Sequence, residues 1–275
     1  MSEHHFETHR PVDLYVELGK GSLTVRATDT TETGVVITGR EADHVEVQQD
    51  GDRISVIAPK QRSGVFGGDR ERLDVTVTLP SGSNLAARTG SADVTVEGEI
   101  AAGRLKTGSG DLNVELLTGP SEISTGSGDV RIGEACSELR VKSGSGDLDI
   151  TRADAALAAS TGSGDVEIGS AGGPVVVKTG SGDLEVAEAR DDISFMTGSG
   201  DLQVRRTHRG RVTVRGASSD VQLGIPAGIP VWTDISTVSG EIRSDLSGAG
   251  QPEEGADHVE VRAKTVSGDI VLTEV

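Results

Sequence analysis

The sequence predicts an all-β fold: a single-stranded β-solenoid (β-helix) with about 18 residues per coil, capped at its N-terminus by irregular β coils. Three observations lead there. The phrase Thr-Gly-Ser-Gly-Asp, or a close variant, heads seven in-frame copies at Gly90, Gly108, Gly126, Gly144, Gly162, Gly180 and Gly198, each with an aspartate three residues on. Aromatic residues make up 2% of the chain while glycine occurs 38 times, which leaves little material for a bulky globular core. Apolar residues between the glycine phrases alternate with polar ones, the period of a strand with one buried face.

Residues 1–88 are strand-rich but out of frame with the repeat, and are expected to form the cap and irregular first coils. Alternation marks strands around Leu14–Leu18, Leu23–Val25, Val45–Val47, Ile54–Val56 and Leu73–Leu79. Gly19-Lys20-Gly21-Ser22-Leu23 reads as a degenerate repeat corner. Between Pro59 and Arg72 the chain is Gly-rich and basic without alternation, so an exposed loop is expected, with Phe66 as a candidate contact residue.

Residues 89–214 hold the seven regular repeats. The first strand of each carries pairs such as Leu148 and Ile150, or Leu184 and Val186; the second carries Leu105, Ile123, Val141, Ala159, Val177 and Phe195. Continuing the second strand's alternation places Thr107, Thr125, Thr161, Thr179 and Thr197 inside, followed by Ser109, Ser127, Ser163, Ser181 and Ser199. The flanking glycines then permit the corner. Lysines at 106, 142 and 178 recur every 36 residues, which leaves a two-coil turn open beside the 18-residue one. In the seventh copy Val212 and Val214 are displaced by one position, so a bulged or widened turn is expected between Arg205 and Gly210.

Residues 215–275 continue as irregular coils with corners at Thr237–Ile242 and Thr265–Ile270, separated by a polar, Gly-rich insertion near 245–257. All three regions read as one continuous solenoid domain. Trp232 is expected to point outward, which makes it a second candidate for contact.

The formal charge is −18, from 44 acidic and 26 basic side chains, so phosphate backbones are repelled and nucleic acid is a poor partner. Cys136 is the only cysteine, which excludes an intrachain disulfide and suits a reducing compartment. No apolar run is long enough to span a bilayer. The opening residues have neither a basic start nor an apolar run, so no signal peptide is expected and the expected location is the cytoplasm, with a surface or secreted location as the alternative.

The column of aspartates is the sharpest chemical feature. Neighbouring carboxylates one coil apart, about 4.8 Å, repel by roughly 1 kcal/mol in water. A structural reading has each carboxylate accept hydrogen bonds from the freed amides of its own Gly-Ser-Gly corner. A functional reading makes Asp111, Asp129, Asp147, Asp165, Asp183 and Asp201 ligands of a calcium ladder, as in nonapeptide β-rolls. The turns opposite them lack the matching ligands, and hard cations want six to eight oxygens. No cofactor is otherwise expected. No catalytic residues are named either: the acids are periodic, which marks folding rather than one active site, and enzymes acting on polysaccharides need paired acids in a groove.

The run Leu73-Asp74-Val75-Thr76-Val77-Thr78-Leu79-Pro80-Ser81-Gly82-Ser83, followed by recurring apolar-x-Thr-Gly-Ser-Gly-Asp-apolar-x-apolar, resembles the bacterial "putative adhesin" β-strand-repeat family, a domain of unknown function. The resemblance covers about residues 10–275 and implies a β-solenoid without family catalytic residues. The expected function is therefore a non-enzymatic scaffold or interaction protein that presents flat β faces to a protein partner or to itself. Acidic outward columns (Glu115, Asp149, Glu167, Glu185) on one face and basic ones (Arg104, Lys106, Arg140, Lys142, Lys178) on the other favour such association. The alternatives are a calcium-stabilised surface adhesin and, behind it, a polysaccharide-active β-helix.

Overall fold

The computed structural model describes residues 1–59, 72–247 and 257–275, and Phe66 lies outside them. The fold is an all-β solenoid, and the chain forms two compact units, Met1–Ser137 and Glu138–Val275.

The first unit contains β1 (Ser2–Glu7), β2 (Asp13–Leu18), β3 (Gly21–Thr28), β4 (Glu32–Thr38), β5 (Glu46–Asp50), β6 (Arg53–Ile57), β7 (Leu73–Pro80), β8 (Ser83–Thr89), β9 (Asp93–Thr107), β10 (Leu112–Leu117), β11 (Ser121–Thr125) and β12 (Val130–Ala135). Its strands lie in two rows. One runs β1-β4-β7-β3-β9-β10-β12 and the other β5-β6-β2-β8-β9-β11; the long β9 bends through both. Among the described residues only the outermost pairs, β1–β4, β4–β7 and β5–β6, are antiparallel. Every strand expected from alternation is present, while β1 and β4 are additions. The first coil, β2–β3, is sandwiched between later ones, because β2 lies between β6 and β8 and β3 between β7 and β9.

The second unit contains β13 (Leu139–Ser143), β14 (Leu148–Ala153), β15 (Leu157–Ser160), β16 (Val166–Ala171), β17 (Val175–Lys178), β18 (Leu184–Ala189), β19 (Ile193–Met196), β20 (Leu202–Thr207), β21 (Gly210–Arg215), β22 (Val221–Ile225), β23 (Val231–Ser239), β24 (Ile242–Ser244), β25 (Val259–Ser267) and β26 (Ile270–Glu274). Two all-parallel rows result: β14-β16-β18-β20-β22-β26-β24 and β13-β15-β17-β19-β21-β25-β23. Leu148 pairs with Val166, Val166 with Leu184 and Leu184 with Leu202, so one turn is 18 residues, not 36. Between β19 and β21 the offset becomes 19, with Ile193 beside Val212, and the extra residue is taken up in a turn that ends at Gly210 with φ +99.

The order of the last coils departs from simple succession. β25 lies between β21 and β23, and β26 between β22 and β24, so the final stretch of chain fills the penultimate rung and the preceding stretch forms the edge. Hydrophobic matching accounts for the exchange. The inward row of the last coil, Val259, Val261, Ala263, Thr265, Ile270 and Leu272, is buried and apolar but for Thr265, whereas the inward row of β23 alternates Val231 and Ile235 with Thr233 and Thr237. The more apolar coil takes the position covered from both sides.

The corner also corrects the expected parity. Threonines 107, 125 and 161 are buried and Thr179 half-buried, as alternation requires, but Ser109, Ser127, Ser163, Ser181 and Ser199 are exposed. The break falls one step earlier than expected: Gly and Ser both face out, and the second glycine of the phrase turns in. The hydroxyls of Thr107, Thr125, Thr161 and Thr179 then accept the N–H of that second glycine, Thr161 from Gly164 at 3.0 Å and Thr179 from Gly182 at 2.8 Å, whereas the buried Thr197 Oγ1 has no hydrogen-bond partner among the described residues. This three-residue ST-type turn closes the corner locally and leaves no room for a serine side chain inside.

A third inward row, Ala153, Ala171 and Ala189, follows a second outward doublet in each first strand. Alanine is too weakly apolar for alternation to have singled it out.

Candidate interaction surface

The aspartate column is built by backbone, rung upon rung. Asp165 N–H donates to Asp147 Oδ1 at 2.9 Å, Asp183 to Asp165 at 2.8 Å and Asp201 to Asp183 at 2.8 Å. The series goes on through Asp220 and Asp269 to Glu241, each N–H at 2.8 Å from the carboxylate below, and repeats the exchanged order of the last coils. In the first unit Asp111 and Asp129 donate to Asp93 and Asp111 at 3.1 and 3.0 Å. The amide that neutralises each carboxylate therefore comes from the next coil, and not from the carboxylate's own Gly-Ser-Gly corner as expected. Charge-assisted bonds of this kind offset the repulsion along the column.

One oxygen of each is committed to the ladder, and Asp129 also pairs through Oδ2 with Arg131 Nη2 at 3.5 Å. Among the described residues none of them belongs to a group of three metal-ligating side chains with ligand atoms within 4.8 Å of one another. Two expectations follow from that geometry. Asp183→Ala removes the acceptor for Asp201 N–H and is expected to lower stability by about 1 kcal/mol, whereas Asp183→Asn keeps the acceptor and is expected to be neutral; urea denaturation of the two variants checks this. Millimolar Ca²⁺ is expected to leave the melting temperature unchanged, and a rise would restore the ligand reading.

Both rows of the second unit carry outward charges of both signs, with Arg152, Arg205 and Arg206 on the row that starts at β14 and Glu260 and Asp234 on the row that starts at β13, but single columns differ in sign. On the row that starts at β14, Asp149, Glu167 and Glu185 stack beside the aspartate ladder. On the row that starts at β13, one column reads Lys142, Ser160, Lys178, Met196, Arg215, Lys264 and Ser236. Two further columns on the same strands carry Arg211 beside Glu260 and Arg262 beside Thr213. There Glu260 accepts from Arg211 Nε and from Arg262 Nε, each at 2.6 Å, and the Arg211 hydrogen bond holds the Glu260 carboxyl below the usual carboxylate range. Lys178, Arg215 and Lys264 are exposed and have no such partner among the described residues. Arg211, Arg215, Arg262 and Lys264 line a depression of about 320 Å³ together with Asp234.

Lys178 belongs to the basic columns expected from the sequence, but Arg215 and Lys264 do not. They escaped because the inserted residue near Gly210 and the exchanged last coils put them 37 and 86 positions beyond Lys178 instead of at multiples of 18. Trp232 stands on β23, outward and 58% exposed. No helix among the described residues is long and apolar enough to cross a membrane.

A family model described as Toastrack DUF4097 matches residues 12–207 and 173–273, nearly the whole chain. The chain belongs to the Toastrack DUF4097 family. Solved structures that the Toastrack chain resembles include three bacterial proteins. One is described as a "putative adhesin" from Bacteroides fragilis NCTC 9343 (12% identity, 98% of this chain and 96% of that one, TM-score 0.41). Another, with the same description, is from Parabacteroides merdae ATCC 43184 (15%, 81% and 95%, TM-score 0.42). The third is a "putative lipid binding protein" from Parabacteroides distasonis ATCC 8503 (13%, 100% and 96%, TM-score 0.41). No curated protein matches the chain.

Proposed function

We propose that this chain is a non-enzymatic interaction scaffold whose flat β faces receive a protein partner, and that the basic column of the second unit is the receiving surface. The observation that carries the reading is the stack of Lys178, Arg215 and Lys264. On a chain of net charge −18, three cations in one column stand without carboxylates among the described residues. Cations left unpaired on an otherwise acidic surface favour an acidic partner and speed its approach. Flat parallel strands with fixed outward spacing suit an extended or β-rich segment that meets successive rungs.

The test compares two triple variants, K178E/R215E/K264E and D149K/E167K/E185K, as baits in native lysate beside the wild type. Partners captured by the wild type are expected to be lost from the first variant and kept by the second. Equal capture by both variants would remove the basic column from the account. The same capture is expected to fall steeply as salt is raised from 50 to about 300 mM, since exposed charges are screened beyond a Debye length of about 8 Å at 0.15 M.

A further inference from the structure

The two units finish their outermost rungs differently. In the first, the edge strands are polar: β1 presents Glu3, His5 and Glu7 outward and β5 presents Glu46 and Asp50, while Ala42 and Val45 of the intervening 3₁₀ turn are buried against the open end. Charged edge strands and a plug are the usual means of preventing another chain from adding on. In the second unit the edge coil β23–β24 has no such plug among the described residues, and from Val231 to Ser244 its charges are only Asp234, Glu241 and Arg243. Its inward row is left uncovered, with Ile242 46% exposed, and its outward row carries Trp232 and Val238, the latter 82% exposed. Asp234 is the only charge between Val231 and Ser239.

Among the described residues no strand pairs with the backbone of that edge either. Val259 N–H donates to Pro230 O at 3.0 Å, so alternation along a parallel ladder aims the even-numbered groups of β23 at β25. The N–H and C=O of Val231, Thr233, Ile235 and Thr237 consequently face away from the sheet. On β24 the parity is reversed, because Ile270 N–H donates to Glu241 O at 2.9 Å, and Ile242 and Ser244 face away.

We infer that this edge pairs antiparallel with the same edge of a second copy of the chain, about a twofold axis through Ile235 and Ile242. Pairing must join odd residues to odd on β23 to satisfy the free backbone groups, and the register centred on Ile235 does so. It sets Thr233 against Thr237, Trp232 against Val238 and Asp234 against Ser236 of the second copy. The register centred on Ile242 sets Glu241 against Arg243, twice over. Aromatic–β-branched, Thr–Thr and opposite-charge pairs are the favourable cross-strand combinations, and no like charges meet. That self-match is what selects a second copy over an unrelated strand, on a chain whose overall charge opposes self-association. The inference goes beyond the reading of the flat faces and does not need it.

The full chain is tested by sedimentation equilibrium and by the emission of Trp232, its only tryptophan. A dimer is expected, with emission shifting to shorter wavelength as concentration rises through the association range. Ser236 is exposed and outward, so its variants leave the core intact. S236D sets two Asp–Asp pairs across the axis and is expected to weaken the dimer about tenfold, whereas S236K sets two Lys–Asp pairs and is expected to tighten it several-fold. Circular dichroism confirms that both remain folded. Lys178→Glu, four strands from β23 and beyond the range of unscreened charge, is expected to leave dimerisation unchanged, which separates this edge from the partner-binding face. A monomer at every concentration with constant Trp232 emission would overturn the inference, as would S236D and S236K shifting the equilibrium in the same direction.

Discussion

Gly182→Ala is expected to cost about 4 kcal/mol or more and to leave the second unit largely unfolded at ambient temperature. A Cβ on Gly182 would stand 2.0 Å from the carbonyl oxygen and 2.8 Å from the carbonyl carbon of Gly164, the matching glycine one rung below. Both atoms are backbone, so no side chain can swing aside to relieve the overlap. Relief requires rungs to separate, which lengthens the ladder bonds beside them, including Asp183 N–H to Asp165 Oδ1. The neighbouring Ser181→Ala supplies the contrast: Ser181 is exposed, and its replacement is expected to fall within about 0.5 kcal/mol of wild type. Urea denaturation followed by circular dichroism reads both, and equal midpoints for the two variants would refute the close-packed corner.

Phe195→Ala is the second large effect, expected to cost about 3–5 kcal/mol. Phe195 is the largest fully buried side chain among the described residues, and it stacks between Val177 on the rung below and Val214 on the rung above. Each rung of the solenoid touches only its neighbours, so the vacated space cannot be filled from elsewhere, and the surrounding ladder resists collapse. Phe195→Leu retains most of the buried area and is expected to cost about 1 kcal/mol. A Phe195→Ala variant as stable as Phe195→Leu would show that the interior is loosely packed at this rung.

The repeat unit was legible because backbone contact dictates it. Glycine at each corner records a carbonyl one rung away, and that contact recurs with every turn, so the spacing of Gly162, Gly180 and Gly198 reports the coil length directly. The one-residue insertion near Gly210 was legible for the same reason, since displaced Val212 and Val214 betray a shift that the turn must absorb. The serine rows were misplaced because alternation holds only while a strand continues, and the Gly-Ser doublet ends it without an apolar residue to mark the change. Strand order at the two ends was not legible at all. Alternation identifies a strand but not its neighbour, and any coil with an apolar inward row can pair in parallel with any other. Which one wins depends on how well the inward rows cover each other, as with Val259 and Val261 against Val231 and Thr233. The basic column was lost with the strand order, because Arg215 and Lys264 become neighbours only through the exchanged coils.

Paired cysteines placed at the exposed corners of the second unit, in a Cys136→Ser background, test the 18-residue rung most directly. Residues 163 and 181 sit on adjacent rungs, with Ser181 N–H 3.3 Å from Gly162 O, and parallel rungs about 4.8 Å apart fall within the Cα separation that a disulfide bridges. Ser163→Cys/Ser181→Cys is expected to oxidise to an intrachain disulfide under mild conditions, while Ser163→Cys/Ser199→Cys, two rungs apart, is expected to stay reduced. Closure of the two-rung pair with the adjacent pair remaining open would contradict the architecture on which every other inference rests.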